Sequence, residues 1–322
     1  EKFSRVFCDL MQKEIMDFRV SSMFWEEFYA KHITELTFYK REFANNEILE
    51  FETIDDLRSF DSEFLMNVDS EIITNICNTL MCNPNDVTNI DVINAGLTNV
   101  SFSFSVNNIK YVYRHPGGTA GNLIDRRTEL FAQMKAKETG IDKSVIHMEL
   151  SGWKISYYVE GANECDFEKS DKQLITAMEY LHTLHNIKPD NTVKIFDNIV
   201  EGKKLMKIAS ATKGHLEKEF EGIINKVDKL YSYIKEDAKE LGYELVLCHN
   251  DTYTPNYLVD RYNNVYLIDW EYAGLNYAAN DLGCILCRYD WSDEQIERYM
   301  RYYFGRELND RERRFYYAFI PI

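Results

Sequence analysis

Hydrophobic positions change their spacing twice along the chain. Residues 1 to about 85 are charged and mainly helical in pattern, as in Met23-Phe24-Trp25-Glu26-Glu27-Phe28-Tyr29, with a short extended piece around Ile48-Leu49-Glu50-Phe51-Glu52. Ile72, Ile73, Ile76, Leu80 and Met81 keep helical spacing until Asn83-Pro84-Asn85 breaks the run. That break predicts a domain boundary. Beyond it Val100, Phe102, Phe104 and Val106 alternate with polar residues, the period of a half-buried strand. Asn107-Asn108 predicts a tight turn and Ile109 to Arg114 the return strand. With the extended piece at Val92-Ile93, a helix over Leu123–Gly140 and strands near Ile146–Leu150 and Lys154–Val159 complete a small α+β lobe of five strands and one helix.

After Gly161 the pattern turns helical. Ser170-Asp171-Lys172-Gln173 reads as a capping box, with Leu174, Met178, Leu181 and Leu184 as the buried stripe behind it. Leu216, Phe220, Ile223, Val227, Leu230 and Ile234 mark a longer helix ending near Gly242. The expected divisions are therefore 1–85, 86–161 and 162–322.

One stretch inside the helical part is different. Leu245-Val246-Leu247-Cys248 predicts a buried strand that delivers His249-Asn250-Asp251-Thr252-Tyr253-Thr254-Pro255-Asn256. Tyr257-Leu258-Val259 and Val265-Tyr266-Leu267-Ile268 predict two antiparallel strands joined by a turn over Asp260 to Asn264. Their outer ends lie side by side, so Asn256 and Asp269 should face one another, with Asp251 on the loop just before. Two carboxylates and an amide oxygen make a hard, oxygen-rich site that suits Mg²⁺ bound with substrate phosphates. Phosphoryl transfer needs a carboxylate to orient or deprotonate the attacking hydroxyl, the role that fits Asp251, and metal ligands, the role that fits Asn256 and Asp269. Asp and Asn are also common turn formers. That reading accounts for Asp260 and Asn263, and poorly for the recurrence at both strand ends.

Composition narrows the field. The chain has 322 residues, about two domains' worth, with 45% hydrophobic and 14% aromatic residues, which suits a folded core. Its 37 basic and 53 acidic residues leave a net charge of −16, with no dense basic run, which disfavours nucleic acid and favours a small cationic ligand. No apolar stretch approaches the ~18 residues of a membrane span, and nothing resembles a signal peptide. Seven cysteines without tight spacing read as reduced cytoplasmic thiols. Cys77, Cys82, Cys284 and Cys287 would be a conceivable zinc set, but Cys284-Ile-Leu-Cys287 looks more like a buried helix face. The apolar end Phe315 to Ile322 leads us to expect further sequence beyond it.

His249-x-Asp251-x-x-x-x-Asn256 followed by Ile268-Asp269-Trp270-Glu271 resembles the signature of the aminoglycoside-phosphotransferase and choline-kinase superfamily. Asp269-Trp270-Glu271-Tyr272-Ala273-Gly274-x-Asn276, then Asn280-Asp281-Leu282-Gly283, is more similar to choline and ethanolamine kinases. Tyr111-Val112-Tyr113-Arg114-His115-Pro116-Gly117 and Leu123-Ile124-Asp125-Arg126-Arg127-x-x-Glu129 resemble bacterial choline kinases, and the likeness covers about 88–320. It implies a bilobal, protein-kinase-like α+β fold with a small β-rich N-lobe and a mainly helical C-lobe, using ATP and Mg²⁺. It implies a phosphate loop at Gly96, Thr98 and Asn99, a phosphate-gripping Arg114 paired with Glu129, and an adenine-binding hinge at Tyr157 to Gly161 that includes Tyr158 and Glu160. From spacing alone Arg114 is equally an exposed strand end and Glu129 a solvated helix residue. His249 would support the loop.

For choline, whose fixed charge carries no N–H, a site needs aromatic faces and carboxylates. Trp270, Glu271, Tyr272, Tyr289 and Trp291 supply both, with Tyr272 and Trp291 the preferred cage members, although Trp and Tyr also fill helical cores. The resemblance implies choline phosphorylation, for surface-glycan decoration. Ethanolamine, a bulkier aminoglycoside and a non-catalytic binding module remain as alternatives. Residues 1–85 resemble the tail of a nucleotidyltransferase fused to choline kinase. They lack the glycine-rich nucleotide loop, so the chain is not expected to make CDP-choline.

Overall fold

The computed structural model describes residues 2–15, 20, 23–37, 70–93, 99–117, 124–212 and 217–321. Two compact units share the chain, Glu1–Glu52 and Thr53–Ile322. In the first, helices α1 (Lys2–Glu14) and α2 (Trp25–Lys31) close over Leu10, Val20, Phe28 and Leu36.

The second unit begins, among the described residues, with helix α3 (Glu71–Leu80), which ends where Met81 turns left-handed at φ 54°. The expected boundary at Asn83-Pro84-Asn85 falls inside this unit, and the physical reason is a shared core. Ile73 and Ile76 of α3 pack with Phe104, Val106, Tyr111, Tyr113 and Ile155 of the sheet that follows. That sheet holds β1 (Thr88–Ile93), β2 (Asn99–Val106), β3 (Ile109–Pro116), β4 (Val145–Met148) and β5 (Lys154–Tyr157). All pairs are antiparallel, in the order β1-β2-β3-β5-β4. Asn107 and Asn108 close the β2–β3 hairpin with φ of 52° and 63°, the left-handed pair that matches strand twist. The β2 alternation is buried at Phe104 and Val106 only, while Val100 is exposed. Helix α4 (Arg126–Thr139) completes the lobe, and the Asp125 carboxylate caps it by accepting the Thr128 N–H.

Strand β6 (Asn163–Glu164) leads into the large lobe, and α5 (Asp171–His185) supplies the stripe of Leu174, Met178, Leu181 and Leu184, all buried. Its capping differs from expectation. The Ser170 hydroxyl accepts the Gln173 N–H, but the Gln173 side chain turns to the Asp166 N–H instead of reciprocating. Helices α6 (Asn198–Thr212) and α7 (Glu217–Leu241) follow. On α7 Ile223 is exposed and Ile224 packs inward in its place.

Two short sheets then build the loop region. Strand β7 (Val246–Cys248) pairs with β10 (Gly274–Asn276), while β8 (Tyr257–Val259) lies between β6 and β9 (Val265–Leu267). Helices α8 (Ala278–Leu286), α9 (Asp293–Phe304) and α10 (Asp310–Tyr317) close the lobe. Phe315, Tyr316 and Phe319 are buried in that lobe's own core beside Tyr243 and Tyr277. The C-terminal apolar run therefore has its packing partners.

At Gly283 helix α8 meets this segment so closely that a Cβ would stand 2.6 Å from the Phe319 carbonyl oxygen. Gly283→Ala is therefore expected to destabilise the fold by about 1–3 kcal/mol in urea unfolding. Wild-type stability would show that the approach relaxes freely.

Candidate active site

A buried carboxylate shapes the loop between β7 and β8. Asp281, on α8, accepts the backbone N–H of His249 at 2.9 Å and of Asn250 at 2.7 Å, and its carbonyl accepts the Thr252 hydroxyl at 2.6 Å. His185 adds a contact at 3.1 Å. Asn250 takes φ 65°, a left-handed turn that Asn tolerates. Its side-chain oxygen accepts from Asn276 and Asn280, and its amide donates to the Tyr272 carbonyl. Asn198 joins the same buried network through Asn276 and Asn280.

His249 is fully buried, with its ring 4.6 Å from that of Trp270. Its Nδ1 accepts the Asp251 N–H at 3.2 Å, so Nε2 carries the proton and donates to the Ile268 carbonyl at 2.9 Å. Both nitrogens are thus spent on backbone. This ring ties the loop to the end of the β8–β9 ribbon.

Asp251 and Asn256 meet directly, for the Asn256 amide donates to the Asp251 carbonyl at 2.8 Å and to its carboxylate at 2.9 Å. That orientation turns the Asn256 side-chain oxygen away from Asp251. The Ile268 N–H donates to the Asn256 carbonyl at 2.9 Å, which sets Asp269 beside Asn256. Asp269 follows β9 in a left-handed conformation, φ 67°. Its carboxylate lies 3.9 Å from Nη1 of Arg114. Burial pushes the Asp251 carboxyl above the ordinary carboxylate range, and the nearby Asp269 and Asp281 charges add to it.

Arg114 and Glu129 are both buried, which removes the solvent-exposed reading of each. Nη2 of Arg114 donates to Glu129 at 2.5 Å and to the Gly152 carbonyl at 3.0 Å, and Arg126 holds the other Glu129 oxygen at 2.6 Å. Nε and Nη1 of Arg114 are buried without a hydrogen-bond partner. Beside Arg114 in the sheet register stands Lys154, whose ammonium donates to Gln133 and whose pKa burial pulls down.

Other expected residues divide. Gly96 and Thr98 lie outside the described residues, and Asn99 opens β2. The Tyr158 N–H already donates to the Lys110 carbonyl at 3.0 Å, so it is not open to an adenine. Glu160 is exposed and 3.4 Å from Arg261. Trp270 is fully buried, with its indole N–H on the Leu267 carbonyl, and presents no face to a ligand. Tyr289 and Trp291 stack on one another at 4.8 Å, Trp291 against Tyr299 and Tyr289 onto Thr254. Tyr272 and Glu271 do line a cavity, of about 300 Å³, together with Phe196, Glu201, Asp125 and Lys194. Tyr289 and Trp291 line no part of it. Burial, then the carboxylates Glu271, Asp251, Asp269 and Glu201, push the Tyr272 hydroxyl up to about 12, and Lys204, paired with Glu201 at 2.7 Å, lines the cavity as well.

Sequence reasoning missed Phe196, Glu201, Lys154 and the Asn198 network. Their only signal was residue type, and their partners lie far along the chain. The conceivable zinc set is not assembled, since Cys77 and Cys82 pack on the small-lobe core while Cys284 and Cys287 sit at the end of α8. Among the described residues His185, Cys248 and Asp281 cluster with metal-ligand spacing, but their polar atoms are engaged in the hydrogen bonds that hold the loop.

The fold and loop define a protein-kinase-like phosphotransferase. Residues 90–320 match the choline/ethanolamine kinase family, and the chain belongs to that family. Protein LicA of Haemophilus influenzae is 28% identical over 198 residues, which are 59% of this chain and 56% of that relative, so the match spans little more than half of it. The choline kinase LicA of Streptococcus pneumoniae superposes with a TM-score of 0.61 at 21% identity, over 77% of this chain and 84% of that one. An ethanolamine kinase of Plasmodium vivax superposes at 0.60 with 18% identity, over 85% and 86%. These likenesses show the fold.

Asp281→Asn places an amide where two backbone N–H groups need an acceptor. It is expected to cost about 1–3 kcal/mol in urea unfolding. No loss would show that the loop is held by other contacts.

Proposed function

We propose that the chain transfers the γ-phosphoryl group of ATP to the hydroxyl of choline, giving phosphocholine and ADP. The observation that carries this reading is the meeting of Asp251 and Asn256 opposite the unpartnered nitrogens of Arg114, 3.9 Å from Asp269. A buried guanidinium with two free N–H directions fits phosphate oxygens. The oxygens of Asn256 and Asp269 fit Mg²⁺, which when bound would offset charge on the transferred group. Asp251 orients the choline hydroxyl and accepts its proton. Arg114, fixed by Glu129, holds the phosphates, with Gly96, Thr98 and Asn99 as the covering loop and the hinge carrying adenine.

Phe196 and Tyr272 offer ring faces to a trimethylammonium group, and Glu201 and Glu271 offset its charge. The same carboxylates can accept ammonium N–H groups, which makes ethanolamine the second reading. Residues 86–161 act as the nucleotide lobe, supported by α3, and 162–322 as the acceptor lobe. The extension that precedes them is the tail of a nucleotidyltransferase-like region. The free cysteines fit a cytoplasmic site, with phosphocholine passed on to surface-glycan decoration.

The test is ADP release with choline, ethanolamine and kanamycin side by side. Choline turnover should dominate and fall about 10²–10⁴-fold in Asp251→Ala. Ethanolamine preference would move the reading to the second acceptor. Silence with every acceptor, while ATP still binds, would favour a binding module.

A pH profile checks the base separately. Asp251 is raised above the ordinary 3.8, and it loses its basic form as pH falls through that raised value. The acid limb of choline turnover should therefore lie above the usual carboxylate range and vanish with the residual activity of Asp251→Ala. A limb at the unperturbed value would remove Asp251 from the role.

A further inference from the structure

The segment from Cys284 to Arg288 holds the two residues that follow Asp251. The Cys284 thiol lies beside Thr252, and the Arg288 guanidinium lies 4.2 Å from the centre of the Tyr253 ring. The Cys287 thiol reaches back along the helix and donates to the Cys284 carbonyl at 3.1 Å. Cys287 caps α8 just beyond its last residue and is exposed, whereas Cys284 is half-buried. Helix geometry puts Cα atoms three residues apart about 5 Å from each other. A disulfide spans about 4.4–6.8 Å between Cα atoms. The pair is thus within bonding reach, at a helix end that can adjust.

We propose that Cys284 and Cys287 form a reversible thiol–disulfide pair whose oxidation by a hydroperoxide loosens the loop after Asp251 and slows turnover. The inference concerns regulation of the site described above, and its effect on turnover rests on that reading. The neighbouring Cys284, and then the charge of Arg288, lower the Cys287 thiol below its ordinary range, which with its exposure makes it the nucleophile of the pair. The neighbouring Cys287, and then burial, push Cys284 up, which suits the resolving partner.

The Cys287 sulfur attacks one peroxide oxygen and the O–O bond breaks. The other oxygen leaves as hydroxide, takes a proton and becomes water. The Cys284 sulfur then attacks the resulting sulfenic sulfur, the S–O bond breaks, and a second water carries away the Cys284 proton. Two thiols and one hydrogen peroxide give one disulfide and two waters. The new bond turns the Cys284 sulfur toward Cys287 and away from Thr252. Arg288, next in the chain, shifts with it above Tyr253.

The experiment treats the whole chain with one equivalent of hydrogen peroxide. Non-reducing peptide mapping, hydrogen exchange over 249–256 and choline-dependent ADP release are then followed before and after dithiothreitol. A Cys284–Cys287 linked peptide, faster exchange in 249–256 and a drop in turnover of about two- to tenfold, what about 0.4–1.4 kcal/mol in the barrier allows, are expected. Dithiothreitol should reverse all three, and C287S and C284A should resist the treatment. Oxidation confined to other cysteines would overturn the proposal, as would a complete link that leaves exchange in 249–256 unchanged. Exchange needs no acceptor, so absence of choline turnover in the reduced chain would reject the functional reading and leave this one decided by mapping and exchange.

Discussion

The loop that carries Asp251 is positioned by the Asp281 carboxylate, which takes up two consecutive backbone N–H groups of that loop while fully buried. A buried donor without a partner costs about 1–3 kcal/mol, so the loop has one favourable path past this carboxylate. Following it forces Asn250 into its left-handed turn, and the Asn250 amide then links Asn276, Asn280 and the Tyr272 carbonyl. One anchor therefore sets Asp251 on one side and the cavity wall at Tyr272 on the other. His185, bridging Asp281 and the Tyr303 hydroxyl at 2.7 Å, extends the anchor into the core of α9.

The small lobe contributes a charge held under tension. Glu129 neutralises Arg114 on one side, yet two of its guanidinium nitrogens remain buried and unpaired. Native proteins leave few such groups, and at a cleft facing a carboxylate a bound ligand is one explanation for them. Asp269 stands at 3.9 Å, too far for a hydrogen bond and near enough to keep Arg114 aimed across the cleft. Glu129 is itself gripped twice, since Arg126 crosses beneath Gly152, where any Cβ would stand 2.6 Å from the Arg126 Nε. The glycine there is a packing requirement of the charge network.

How far the sequence carried depended on the range of the interaction involved. The β8–β9 ribbon follows from two short apolar runs and a turn within fourteen residues, and it was readable. The family motifs around Asp251 were readable for the same reason. Trp270 was misplaced because adjacency to Asp269 says nothing of direction, and its ring packs backward under His249. The Tyr158 N–H is spent on the Lys110 carbonyl of the neighbouring strand, a pairing that the hinge motif does not announce. Trp291 looked like a cage wall, but its stacking on Tyr289 and Tyr299 is decided by helix packing. The Asn198 network joins residues 78 and 82 positions apart, and no local pattern announces it. The boundary at Asn83 was drawn from a real turn, but α3 shares its apolar face with the sheet beyond that turn.

The most direct measurement is a crystal structure with Mg²⁺ and a non-hydrolysable ATP analogue. The account predicts a magnesium ion with Asn256 and Asp269 oxygens at about 2.0–2.1 Å, and a phosphate oxygen on the free nitrogens of Arg114. A nucleotide seated elsewhere, with Nε and Nη1 of Arg114 still without a hydrogen-bond partner and Asn256 and Asp269 bound to no metal, would contradict it.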